Sequence, residues 1–143
     1  MKKLKTFLAV LLIAVIAIAV WENAWHWLTP ARWHEKHLRQ CIDTYTEYEE
    51  VLRAVLPRLR GQTAPSEERQ LILDPLFAYV HGDTPDTRII DIPLASIGDF
   101  YQHTYSYGLV WAADYDRLLA RNPDLILIAL PDNWCAYAST RPQ

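Results

Sequence analysis

Glycine is scarce: four occur in 143 residues, and no two stand close enough to build a phosphate-cradling loop. Neither G-x-G-x-x-G nor G-x-x-x-x-G-K-[ST] occurs, which removes the common nucleotide-binding signatures. The G-x-S-x-G elbow of many hydrolases and the H-E-x-x-H of zinc proteases are missing as well. A basic excess is also lacking, with 14 Lys and Arg against 17 Asp and Glu and a net charge of −3. Nucleic-acid binding needs a basic footprint, so no nucleic-acid partner is expected. No internal repeat and no low-complexity tract is visible. Cysteine occurs twice, at Cys41 and Cys135, and never directly after the N-terminal apolar run, which excludes a lipoprotein.

That apolar run organises the rest. Lys2, Lys3 and Lys5 precede the fifteen residues Phe7 to Trp21, none of them polar. A cationic segment ahead of an apolar core reads as a secretory signal or an uncleaved signal anchor. The lysines then stay in the cytoplasm and the chain beyond Trp21 is exported. Ala17-Ile18-Ala19 offers the small residues a signal peptidase inspects. Against cleavage, no Gly, Pro or polar stretch loosens the end of the run, and Trp21, Trp25, Trp27 and Trp33 crowd beyond it like an interfacial belt. Leu4 to Leu28 taken as one helix meets the about 20 residues that a span requires. Residues 1–28 are therefore read as a signal anchor, with membrane contact through residues 4–28. This makes an inner-membrane, single-pass protein with its C-terminal domain in the periplasm; a cleaved, soluble periplasmic form is the alternative.

The remaining chain suits one modest domain. Its 11 remaining basic residues against all 17 acidic ones leave it at −6. In an oxidising compartment Cys41 and Cys135 are expected to form a disulfide. A loop of that length would contribute about 4–5 kcal/mol in the chain-entropy model.

Residues 29–61 read as an amphipathic helix. Thr29-Pro30 is a start signal, and the apolar positions Leu38, Cys41, Tyr45, Tyr48, Leu52, Val55 and Leu59 step by threes and fours. Pro57 is expected to bend or end the helix, and Gly61 closes it. A homodimer through the 38–59 helix is one use of this stripe. Tyr45 and Tyr48 at core positions favour the other, packing onto the chain's own domain. Residues 62–143 then form a small α/β domain packed with the helix. Within it, Ser66 is expected to cap a short helix from Glu67 to Leu73. Leu76 to Val80 is a strand or a further helical turn, and Arg88 to Ile92 a strand that Pro93 ends or places at an edge. Asp114 is expected to cap a helix over Tyr115 to Arg121. Leu125 to Leu130 reads as a strand buried on both faces. Gly108 to Ala113 is apolar and strand-like, so strand, helix and buried strand imply a βαβ unit with parallel pairing. The stretch DYDRLLARNPDLILIAL resembles the helix–strand unit of periplasmic solute receptors, a likeness open to any α/β protein that implies no function. The tail after Asp132 is expected to be mostly turn.

Several side-chain groups could carry chemistry. His26, His34 and His37 fall near one side of a helix and could share a metal ion. His81 with Asp83 or Asp86 could do acid–base work, with Asp91 close by in sequence; turn chemistry explains the same residues. Trp134-Cys135 resembles the Trp-Cys start of the thioredoxin motif, but Ala138 stands at the second cysteine position. Phe100, Tyr101, His103, Tyr105 and Tyr107 form the most site-like patch, suited to a sugar face or a protein partner. The fold class expected is α/β (mixed α+β): a membrane helix, a long amphipathic helix, and a small domain centred on Leu125 to Leu130. The function expected is a non-enzymatic binding or interaction module for an envelope protein or a cell-wall component, with no cofactor. The alternatives are a small periplasmic enzyme through His81 and a metal-binding protein through the three histidines.

Overall fold

The computed structural model describes residues 2–28, 30–62, 66–98 and 104–139, with side chains left out of account at 2, 22–33, 66–69, 97–98 and 104. The chain divides into two units, Met1–Lys36 and His37–Gln143.

The first unit contains helix α1, Lys2–Leu28. Its Lys3–Trp21 stretch is 19 residues long and apolar enough to cross a membrane. Apolar side chains point outward all round it, from Phe7 (65% exposed) to Trp21 (67%). In water that surface is costly; in hydrocarbon it is the natural exterior, and the helix satisfies its own backbone.

Helix α2, Pro30–Arg60, runs from the first unit into the second. Within the second unit its stripe does what the spacing predicts. Leu38, Cys41, Tyr45, Leu52, Leu56 and Leu59 are buried, and Tyr48 and Val55 pack beside them. Pro57 does not end the helix, which runs one further turn before Gly61 N–H meets the Pro57 carbonyl at 3.0 Å. The stripe lies against one face of a sheet, on Leu76, Ala78, Val80, Ile90, Ile92, Leu109, Trp111 and Trp134. The apolar face of α2 in this unit is therefore taken up by the chain's own core.

The sheet has six strands: β1 Ser66–Leu73, β2 Leu76–His81, β3 Ile89–Gly98, β4 Thr104–Ala112, β5 Leu125–Ala129 and β6 Trp134–Ser139. Their order is β1-β2-β3-β4-β6-β5, and every neighbouring pair is antiparallel. The fold is thus mixed α+β, and four expectations are corrected. Residues 67–73 are strand, not helix: pairing of Gln70 with Ala78 and Leu71 with Phe77 overrides a weak helical propensity. β3 runs through Pro93 rather than stopping there, with a register shift between Pro93 and Ala95 absorbing the residue that cannot donate. Helix α3, Tyr115–Arg121, follows β4 and leads to β5, but β5 does not pair with β4. β6 lies between them, antiparallel to both, so the expected parallel pair is split. Finally, Leu125 to Ala129 is an edge, with Ile126 and Ile128 40% and 37% exposed. The strand buried on both faces is β6, residues 134–138, which the tail's turn residues concealed.

The β5–β6 connection is tied to α2. Asp132 and Asn133 adopt φ of 56° and 63°, a left-handed pair that Asp and Asn tolerate. Tyr45 Oη donates to the Pro131 carbonyl at 3.1 Å, and Arg53 Nε to Asp132 Oδ2 at 3.1 Å.

The expected disulfide is absent; both cysteines are free and buried. Side chains alternate across a strand. Trp134, Ala136 and Ala138 face α2, so Cys135 and Tyr137 face the other way. Cys41, on α2, belongs to the first core and Cys135 to the second. The two thiols therefore lie in cores on opposite faces of the sheet, unpaired.

Candidate functional site

Among the described residues the second face of the sheet has little cover. Helix α3 is seven residues long, and Asp114 caps it by accepting from Arg117 N–H at 3.0 Å. Leu118 packs on Val110, Ala112, Cys135 and Tyr137. Tyr115 Oη lies 2.9 Å from the Val110 carbonyl and 2.7 Å from that of Asn133, which pins the start of α3 to the sheet. Beyond this helix the face stays open and holds a cleft of about 420 Å³. That volume lies in the range of small-ligand sites.

The floor of the cleft is a pair of side chains brought together by strand register. Asp91 on β3 pairs with Val110 on β4, and Val110 with Cys135 on β6. The row beside it is Pro93, Gly108 and Tyr137. Tyr137 therefore reaches Asp91 diagonally, across the place where β4 carries no side chain. A Cβ at Gly108 would overlap the Ile92 carbonyl oxygen and come within 2.9 Å of the Tyr137 ring. Glycine is required here by close approach, not by a left-handed backbone.

Tyr137 donates its hydroxyl hydrogen bond to the Asp91 carboxyl. The other oxygen, Asp91 Oδ1, is buried with no partner among the described residues. Burial raises the Asp91 pKa above the usual carboxylate range, with the Tyr137 bond and the charge of His81 acting against it. Burial and the neighbouring carboxylate also raise the Tyr137 hydroxyl. Such a carboxyl stores a proton more readily than a solvated one. Around this floor, Ser96, Ser106, Ser139 and Asn122 supply hydroxyl and amide groups, while Pro93, Val110 and Leu125 supply apolar wall.

His81, at the end of β2, lines the same cleft, its ring stacked on Tyr79 with centroids 6.5 Å apart. The carboxylates first considered for it lie elsewhere. Asp83 is exposed in the turn after Gly82. Asp86 sits in the short 3-10 turn Pro85–Thr87, beside a depression of about 10 Å³, which holds no more than a water. Asp91 takes their place. One local signal marked it: an acid between Ile90 and Ile92 on a strand must face away from the side those isoleucines bury.

The aromatic patch separates differently. Phe100, Tyr101 and His103 lie outside the described residues. Tyr105 and Tyr107 face α2 and belong to the first core. Tyr107 is 1% exposed, its ring stacks on His37 with centroids 4.4 Å apart, and burial pushes its hydroxyl up to about 12. Of the three histidines considered for a metal, the side chain of His26 is outside the description, His34 belongs to the first unit and His37 to the second. His37 Nδ1 is 3.0 Å from Gln40 Oε1. Among the described residues no group of three His, Cys, Asp or Glu side chains could hold a metal ion.

No protein-family model matches this chain, and no curated protein or solved structure matches it either.

Proposed function

We propose that the chain is a membrane-tethered, non-enzymatic binding domain of the cell envelope. Helix α1 remains in the inner membrane as an anchor, and the second unit is exported. The cleft on the open half of the sheet receives a ligand rich in hydroxyl and amide groups, a cell-wall fragment or an extended loop of another envelope protein. One observation carries this reading: a cleft of about 420 Å³, with hydroxyl and amide groups set among apolar ones, occupies a sheet face that among the described residues is covered by little more than seven residues of helix. Hydroxyl and amide groups on apolar walls are the usual makeup of small specific sites.

The test uses the full chain in micelles, isotopically labelled and titrated with soluble cell-wall fragments. Amide shifts are expected at Ser96, Ser106, Ser139 and Tyr137. A photo-crosslinking residue at Ser106 in native membranes is the second arm, with one discrete protein adduct expected. Silence in both arms refutes the reading.

A second reading, acid–base chemistry, is supported by His81 and Asp91, whose pKa burial raises, sharing one cleft. It requires substrate turnover that Asp91→Asn abolishes.

A further inference from the structure

β5 has one neighbour, β6, and among the described residues no strand pairs with its outer side. A sheet edge presents a row of N–H and C=O groups, and proteins usually blunt it with charge. The sequence of the opposite edge strand, β1, includes Glu67, Glu68 and Arg69. β5 reads Leu125-Ile126-Leu127-Ile128-Ala129, with no charge and no proline.

The ladder shows which backbone groups point outward. Leu130 N–H donates to the Trp134 carbonyl at 2.8 Å, and the β5–β6 register runs without a shift from Leu125 opposite Ser139 to Ala129 opposite Cys135. Backbone polar groups alternate along a strand. Ile126 and Ile128 share the parity of Leu130 and point theirs at β6. Leu125, Leu127 and Ala129 point theirs outward. Leu125 N–H is met by the Asn122 carbonyl at 3.1 Å. The N–H groups of Leu127 and Ala129 and the carbonyls of all three face no strand among the described residues.

We infer that this edge pairs with the same edge of a second copy of the chain, antiparallel, about a twofold axis at Leu127. The register places Leu127 opposite Leu127 of the other copy, Ile126 opposite Ile128, and Leu125 opposite Ala129. Outward groups then meet outward groups at Leu127 opposite Leu127 and at Leu125 opposite Ala129, Ile126 opposite Ile128 is the non-hydrogen-bonded pair between them, and the central leucines exchange both hydrogen bonds. Isologous contact requires such self-complementarity, and no charge meets its like within the strands. Other charged surfaces suit a second copy less well, because the chain beyond Trp21 carries −6. Ile126 and Ile128, half-exposed on the side facing away from α3, gain cover from their counterparts. If α1 anchors both copies in one membrane, as proposed above, the two edges meet at a raised effective concentration. The pairing itself does not depend on what the cleft binds.

Leu127→Cys in the full chain, in micelles and in membranes, tests this. Opposed residues of a hydrogen-bonded pair stand about 5.5 Å apart at Cα, within disulfide reach. Mild oxidation is expected to convert most of this variant to a covalent dimer and to leave Leu71→Cys, exposed on β1, monomeric. Light scattering of the unmodified protein should give two chains, and Ile126→Lys should weaken the dimer at least tenfold while leaving the far-UV circular dichroism of the folded chain unchanged. A one-chain mass with Leu127→Cys that reacts only as monomer overturns the inference. So does a dimer indifferent to Ile126→Lys, or a Leu127→Cys adduct to a different protein.

Discussion

Replacing Gly108 by alanine tests the floor of the cleft. The added Cβ would meet the Ile92 carbonyl oxygen, part of the β3 backbone, so no side-chain rotation relieves the overlap. Overpacking of this kind costs about 1–3 kcal/mol. The same Cβ would come within 2.9 Å of the Tyr137 ring and push it back from Asp91. Asp91 already carries one unpartnered buried oxygen, and weakening its remaining bond costs about 1–3 kcal/mol more. The total is about 2–6 kcal/mol. For a unit of this size each kcal/mol lowers Tm by about 4–8 °C, so a loss on the order of 10 °C or more is expected. Urea unfolding of the full chain in micelles, followed by the fluorescence of Trp111 and Trp134, measures it. In a Tyr137→Phe background the second contribution is already gone, and Gly108→Ala should cost only about 1–3 kcal/mol. A Gly108→Ala variant within about 0.5 kcal/mol of the unmodified protein refutes the argument. An equal cost in both backgrounds refutes the coupling of Gly108 to the Tyr137–Asp91 bond.

Asp91 has a raised folded pKa, so its contribution to stability is fully present below its unfolded value of about 3.9 and declines as pH rises through the folded value. Asp91→Asn should remove that decline, flattening the stability–pH curve on the acid side of neutrality; an unchanged slope contradicts the assignment. Leu52 is fully buried between α2 and the sheet, so Leu52→Ala should lose about 2–5 kcal/mol by urea unfolding, and a loss below about 1 kcal/mol would place α2 elsewhere. Burial pushes the Cys41 thiol up to about 11, so few molecules hold the reactive thiolate at neutral pH. A thiol reagent should find no accessible cysteine in the native protein and both after unfolding without reductant; failure to titrate both would restore the disulfide.

What could be read from the chain alone was local. The α2 stripe from Leu38 to Leu59 and the Asp114 cap each involve residues within one or two turns, and both stand where their spacing puts them. Strand order is not local. LILIA reads as a doubly buried strand, yet becomes an edge because WCAYAS inserts beside β4. WCAYAS itself follows Asp132-Asn133 and carries small alanines, so it looks like a turn until α2 is seen lying over those alanines. The disulfide expectation failed for a related reason. Cys135 is separated from Cys41 by side-chain parity along β6, and parity has meaning only once that strand is known. The cleft was legible in part: His81 and Asp91 stand near each other in sequence, but Tyr137 joins them only through three strands of register.

The account rests on an exported second unit whose open sheet face meets solvent. Ser106→Cys in the full chain, treated in intact cells with a maleimide that does not cross the inner membrane, tests both parts together, because the two native thiols are buried. Labelling in intact cells at Ser106→Cys, with none in the unmodified protein, is the predicted result. Labelling only after the inner membrane is broken would place the unit on the other side, and no labelling of the folded protein at all would mean that the cleft is closed.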